Sequence, residues 1–194
     1  RKKENLWFEK FVNLENSKDR FFYERKTDIN KIEKKINFKI SNNQDFIEYS
    51  ELGLKYLNDI SQIVKKNDGG LLIIDYGYTD FKMINTLQGI SNHKFANILY
   101  NIGNVDITHN INFELFKRFT NKISGLKTYL TFQKDFLIKL GIKQRAEIMC
   151  QKMTFSKKAN IYYRLKRLID EKEMGKLFKV MLVKKKNSNF KLGF

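Results

Sequence analysis

The residues best placed to do chemistry are Asp75, Tyr76 and Gly77, which follow the apolar run Leu71-Leu72-Ile73-Ile74. Such a run reads as a strand buried on both faces, as in a parallel sheet covered by helices. Ligands of open α/β sheets bind outside the carboxyl ends of strands. A carboxylate there accepts hydrogen bonds from a cationic or hydroxylated ligand. An aromatic beside it stacks on a planar group, and a glycine lets a ligand approach the backbone. The same three residues would serve equally well as a strand-ending turn with a solvated aspartate. Other familiar chemistry has no motif here: there is no phosphate-cradling Gly-rich loop, no Cys/His cluster at zinc spacing and no strand–Ser–helix elbow. His93 and His109 are isolated, so no metal site is expected. Cys150 is the single cysteine. With no basic neighbour to activate it, it reads as a buried structural thiol, and the lack of a disulfide partner suits a reducing, cytoplasmic setting.

These residues need elements to position them. Leu6–Val12 and Arg20–Arg25 alternate as two strands around the turn Asn16-Ser17-Lys18-Asp19, so a hairpin is expected. Residues 31–40 alternate weakly and suggest a third strand. Tyr49, Leu52, Leu54, Leu57, Ile60, Ile63 and Val64 fall near helical spacing, and Asp68-Gly69-Gly70 stops that helix before the apolar strand. Residues 83–106 read mostly as loop with a short extended piece. Asn112 can cap a helix that opens at Phe113. A strand over 126–132 follows, then a helix over 135–149 broken at Gly141. A basic helix over 157–170 has Ile161, Leu165 and Leu168 on one side. A last strand covers 177–183, and the tail from Lys184 reads as loose. Helix, turn and buried strand in sequence make an α/β unit.

Several blocks, collinear from Trp7 to Val183, resemble the MidA family, which includes the mitochondrial complex I assembly factor. They are Trp7-Phe8-Glu9-Lys10-Phe11-Val12, Gly69 through Gly77, Thr86-Leu87-Gln88-Gly89, His93-Lys94-Phe95, Gly103, and Asp106-Ile107-Thr108-His109 running on to Phe113. Further blocks are Gln133 with Phe136-Leu137, Leu140-Gly141-Ile142 with Arg145-Ala146, and Met174-Gly175-Lys176-Leu177-Phe178-Lys179-Val180. The resemblance implies an α/β fold: the C-terminal half of a class I (Rossmann-like) methyltransferase with a β-hairpin insertion. The insertion would cover 1–43 and the α/β part 44–194. It implies S-adenosylmethionine as cofactor and a protein arginine as acceptor, in a core subunit of respiratory complex I. The family's Gly-rich cofactor loop and its Asn-Glu-Phe-Phe-Asp-Ala-type segment have no counterpart here, so the cofactor would need the missing N-terminal half. Asn112 stands where the family commonly has Asp.

By this resemblance Asp75 and Tyr76 are the candidate catalytic residues. Glu48, Gly77, Gln88, His93, Asp106, Thr108 and His109 are the candidate substrate-side residues. Chemistry agrees for the carboxylates, because a guanidinium with a pKa above about 12 needs carboxylates to hold it. Glu48 reads equally as an acidic residue ahead of a helix N-terminus.

Charge leaves other functions open. The chain has 194 residues and a formal net charge of +17, with no proline. Its abundance of Lys, Asn and Ile suits drift in an AT-rich genome, so no specific nucleic-acid partner is expected. No apolar run approaches the roughly 20 residues of a membrane span. Two alternatives to an enzyme half stand: a non-catalytic remnant or binding module from a split gene, and a nucleic-acid binder built on the helix bearing Lys157, Lys158, Arg164, Lys166 and Arg167.

Overall fold

The computed structural model describes residues 1–15, 19–100, 103–190 and 193–194. Along the chain, β1 (Lys2–Lys3), β2 (Leu6–Glu15) and β3 (Asp19–Thr27) precede α1 (Ile29–Lys35) and α2 (Glu51–Lys66). Then come β4 (Gly70–Tyr78), β5 (Gln88–Ser91), β6 (Lys94–Ala96), β7 (Asp106–Thr108) and β8 (Ile111–Asn112). The remainder is α3 (Phe113–Asn121), β9 (Leu126–Phe132), α4 (Gln133–Lys139), α5 (Ile142–Cys150), α6 (Phe155–Ile169), α7 (Met174–Leu177) and β10 (Phe178–Lys185). The chain divides into two compact units. One is Arg1–Lys55 with Asp80–Asn110; the other is Tyr56–Thr79 with Ile111–Phe194. The first therefore holds the hairpin and also the segment that bears five of the candidate residues.

In the first unit, β2 and β3 pair antiparallel from Trp7↔Thr27 to Glu15↔Asp19, as the alternation predicts. The turn between them, residues 16–18, lies outside the described residues. The third strand of this sheet is β1, not residues 31–40. That stretch is instead a helix followed by an irregular segment. Asp28 caps α1 through a hydrogen bond accepted from the Asn30 backbone N–H at 3.0 Å. Glu33 then turns inward, 4% exposed, and accepts from the Ile40 and Ser41 backbone, the Ser41 hydroxyl and Lys39. A weak alternation cannot reveal a helix whose one inward polar side chain organises the next eight residues.

Burial works against ionised Glu33, but hydrogen bonds from Lys39, Ser41 and Ile40 outweigh it and hold the carboxyl at about 2, below 4.5. A depressed carboxylate pKa stabilises the fold above its unfolded value, and that contribution is lost as pH falls from about 4.5 towards 2. Glu33→Gln is expected to destabilise the protein by on the order of 2–3 kcal/mol at pH 7. Urea melts should show the difference from wild type shrinking at pH 3. A deficit independent of pH would contradict this role.

In the second unit the sheet order is β8-β4-β10-β9. β10 runs antiparallel to both β4 and β9, while β8 pairs parallel with β4 at Gly77↔Ile111 and Tyr78↔Asn112. The centre of the core is β10: Val180, Met181, Leu182 and Val183 are at most 2% exposed. β4 was expected to be buried on both faces. It is not, because Leu72 and Ile74 are each 47% exposed. It also runs on to Tyr78 rather than ending at Asp75. Asn112 caps α3 as expected, accepting from the Leu115 N–H at 2.9 Å. Gly141, at φ 81°, separates α4 from α5. The Gln133 amide fixes α4 to the end of α6 by donating to the Leu168 carbonyl at 2.9 Å. Cys150 is buried and free. The tail is not loose throughout: Lys184 is 1% exposed within β10, and the Phe194 ring packs edge-on against Phe136 at 5.5 Å.

Candidate functional site

The candidate residues fall into two groups, one in each unit. In the second unit, β4 places Asp75, Tyr76 and Gly77 near its carboxyl end. Asp75 pairs in register with Lys179 and Tyr76 with Phe178. The Tyr76 ring meets the Phe178 ring edge-on at 5.9 Å. Asp75 is half-buried, and one carboxylate oxygen accepts the Tyr76 N–H at 2.8 Å. A carboxylate has about four acceptor positions, so most of its capacity is open to a cation. Gly77 has a different task. A Cβ there would lie 2.1 Å from the Ile111 carbonyl oxygen and 3.0 Å from the Phe113 ring. Its missing side chain makes room for β8 rather than for a ligand.

In the first unit, Glu48 is committed to the backbone. It accepts from the Thr86 N–H at 3.1 Å, from the Leu87 N–H at 3.2 Å and from the Thr86 hydroxyl. The Thr86 hydroxyl oxygen also accepts the Asn110 N–H at 2.9 Å. Four residues earlier, Gln44 clamps the same segment. Its amide donates to the Phe81 carbonyl and accepts the Met83 N–H, both at 2.9 Å. Together these two side chains hold residues 81–87 in place and so position Gln88. Gln88 pairs with Thr108 across β5 and β7, and its amide donates to the Thr108 hydroxyl at 3.3 Å. Asp106 pairs with Ile90 two residues away and is exposed. His109 is exposed, with Nδ1 3.3 Å from the Asn110 carbonyl. His93 sits at the tip of the β5–β6 hairpin, where Asn92 and His93 take φ 50° and 61°, the conformation of a two-residue primed turn.

Thus Glu48, Gln88, Thr108 and His109 share one neighbourhood, Asp106 borders it, and His93 lies at the far end of the hairpin. Residues 83–106, read as mostly loop with a short extended piece, hold β5, β6 and the start of β7, whose brevity hides their alternation. The parts that Gln44 and Thr86 play in holding this neighbourhood were not read from the sequence. The available signal was the i, i+4 spacing of Gln44 and Glu48, two polar side chains free to reach one segment. Beside this neighbourhood, in the same unit, Lys10, Phe22, Leu87, Gln88, Gly89 and Phe95 are among the residues lining a groove of about 250 Å³. No cluster of three or more metal-ligating side chains occurs among the described residues. No described helix is long and apolar enough to cross a membrane.

Strand order, with an antiparallel β10 beside β4 and a parallel β8 on its other side, fits part of a Rossmann-like domain. The chain belongs to the family described as "Putative S-adenosyl-L-methionine-dependent methyltransferase", whose model matches residues 1–131. Among curated proteins it is similar to "Protein arginine methyltransferase NDUFAF7, mitochondrial". The Xenopus tropicalis protein is 23% identical over 141 residues, covering 72% of this chain and 32% of the relative. The Homo sapiens protein is 27% identical over 124 residues, covering 63% and 27%. A solved structure from Burkholderia thailandensis, a COG1565 superfamily member and likely methyl transferase bound to S-adenosyl-homocysteine, shares the fold. Its TM-score is 0.75 at 18% identity, over 98% of this chain and 50% of that one. The chain therefore spans about a third of the curated relatives' length and half of the solved neighbour's.

The family is S-adenosylmethionine-dependent, so the glycines test whether these residues can hold that cofactor. A cofactor cradle needs a glycine turn leading from a strand into a helix N-terminus. Gly77 is filled by the Ile111 carbonyl, and Gly89 by the Ala96 carbonyl at 2.6 Å and the Val105 side chain at 2.8 Å. The open, positive-φ glycines at 69 and 125 precede strands rather than follow them. The described residues do not form the cradle by themselves.

Proposed function

We propose that this chain is the substrate-side and scaffold half of a protein arginine methyltransferase of the MidA type, one that assists assembly of respiratory complex I in a reducing, cytoplasmic setting. The observation that best supports it is the family match over residues 1–131, within which Asp75 offers a half-buried carboxylate near the end of β4. The curated relatives' names support an arginine acceptor, and the free, buried Cys150 suits a reducing compartment. "Mitochondrial" belongs to those relatives' names and is not carried over.

In this reading Asp75 holds the substrate guanidinium by charge-assisted hydrogen bonds and favours removal of its proton. Tyr76, braced edge-on by Phe178, walls that position. Within the first unit, Glu48 acts through the backbone it holds, orienting the hydrogen-bonded pair Gln88 and Thr108 as a separate polar group.

Calorimetry with S-adenosyl-homocysteine tests the division of labour. The chain co-expressed with a cofactor half should bind at micromolar affinity, and the 194-residue chain alone at least about 100-fold more weakly, a difference of roughly 2.7 kcal/mol. Micromolar binding by the chain alone would overturn this assignment. Failure of the completed domain to bind would favour a non-catalytic remnant.

A further inference from the structure

The groove of about 250 Å³ in the first unit draws its walls from two parts of the chain. Lys10 and Phe22 come from the β2–β3 hairpin, and Asn85, Leu87, Gln88, Phe95 and Ile98 from a later segment. Phe22 pairs with Val12, two residues from Lys10, so both project from one face of the hairpin. The Lys10 ammonium lies over the Phe22 ring, 4.8 Å from its centroid, which holds it in place. Lys10 pairs across the strands with Glu24, but that carboxylate is taken by Lys3 at 2.6 Å and Arg1 at 2.7 Å. Lys10 therefore keeps its charge unmatched, with no ion-pair partner among the described residues. The wall from the later segment is held firm. Gln44 and Glu48 fix the backbone of residues 81–87, and Gln88 is tied to Thr108. On this wall Phe95 is 81% exposed and Leu87 44%, so apolar surface is open to a partner.

We infer that this groove docks an acidic segment of the acceptor protein, with a glutamate or aspartate side chain on Lys10 and a neighbouring apolar side chain against Leu87 and Phe95. This rests on the proposed function. Size and charge select the occupant. The volume falls below the roughly 300–1,000 Å³ of a small-molecule pocket, so it suits one or two side chains rather than a cofactor. A nucleic-acid backbone needs several cations in a row. Lys10 is the one cation among the lining residues, which matches a single carboxylate. The Asn85 and Gln88 amides in the same lining offer further donors to it. The net charge of +17 draws an acidic partner towards the whole chain, and the groove supplies the local selection. Because the wall is already held, little ordering is needed on binding.

An NMR titration of the 194-residue chain tests this. The probe is the peptide acetyl-Gly-Leu-Glu-Leu-Gly-amide, blocked at both ends so that its side chain is the only carboxylate. Amide signals of residues 85–98 should shift, with a Kd of about 1 mM or tighter. The same peptide with Gln in place of Glu should bind at least about tenfold more weakly. Lys10→Glu should lose the Glu peptide by at least about tenfold and prefer the version with Lys instead, while its circular dichroism is unchanged. Lys143→Glu, in α5 of the second unit, makes the same change in net charge and should alter binding less than about twofold. No shifts at about 10 mM peptide would overturn the docking site. So would equal binding of the Glu and Gln peptides, or a loss in Lys143→Glu matching that in Lys10→Glu, since the overall field would then explain the binding. The titration involves neither cofactor nor methyl transfer, so its failure leaves the proposed function standing. A groove that behaves as expected in a completed enzyme that labels no protein would remove the proposed function and leave the docking site.

Discussion

Gly77→Ala is expected to cost the protein at least about 3 kcal/mol of stability. The added Cβ would sit 2.1 Å from the Ile111 carbonyl oxygen, well inside van der Waals contact. That oxygen is main chain, held in the parallel β4–β8 pair, so it cannot rotate away as a flexible side chain would. Moving β8 also moves Asn112, the cap of α3, and disturbs Phe113, which is fully buried. Loss of such a cap adds about 1 kcal/mol. Urea unfolding of the isolated chain measures this through the transition midpoint. Gly53→Ala, inside α2, is the comparison and should change stability by less than about 1 kcal/mol. If both substitutions behave alike, close approach of β8 is not what demands glycine at 77.

Asp75→Asn should leave the fold intact and remove at least about tenfold of methyl-transfer rate from the completed enzyme. The substitution keeps size and an acceptor oxygen, so the bond from the Tyr76 N–H at 2.8 Å can persist. What disappears is the charge. A charge-assisted hydrogen bond contributes on the order of 1.5–3 kcal/mol, and 1.4 kcal/mol already corresponds to tenfold in rate. Asp80→Asn, a few residues along, should retain near-normal activity. Thermal melts of each variant separate misfolding from lost chemistry. A well-folded Asp75→Asn enzyme with normal rate would take Asp75 out of the site.

Where side chains alternate or recur over many residues, the sequence reveals the elements. The β2–β3 hairpin, α2, α3 with its Asn112 cap, β9, the break at Gly141, α6 and β10 all follow the expected pattern. What stayed hidden depends on contacts remote in sequence. β5, β6 and β7 are three or four residues long, too short for a period to emerge. Residues 29–35 form a helix because Asp28 caps it and Glu33 binds Ile40 and Ser41. The run Leu71–Ile74 promises a doubly buried strand, and the structure leaves Leu72 and Ile74 half exposed. The apolar run alone placed Asp75 near the carboxyl end of a strand, where β4 has it. The use of Glu48 and Gln44 as clamps on residues 81–87 was not legible, since their partners lie about 40 positions away.

The most direct measurement is methyl transfer itself. The completed enzyme would be incubated with S-adenosylmethionine labelled in its methyl group and with respiratory complex I subunits as acceptors, and the labelled protein hydrolysed to amino acids. The label is expected on arginine, and the transfer should be lost in the Asp75→Asn variant. A folded complex that binds S-adenosyl-homocysteine yet labels no protein arginine, or places the methyl group on nucleic acid instead, would contradict the assignment.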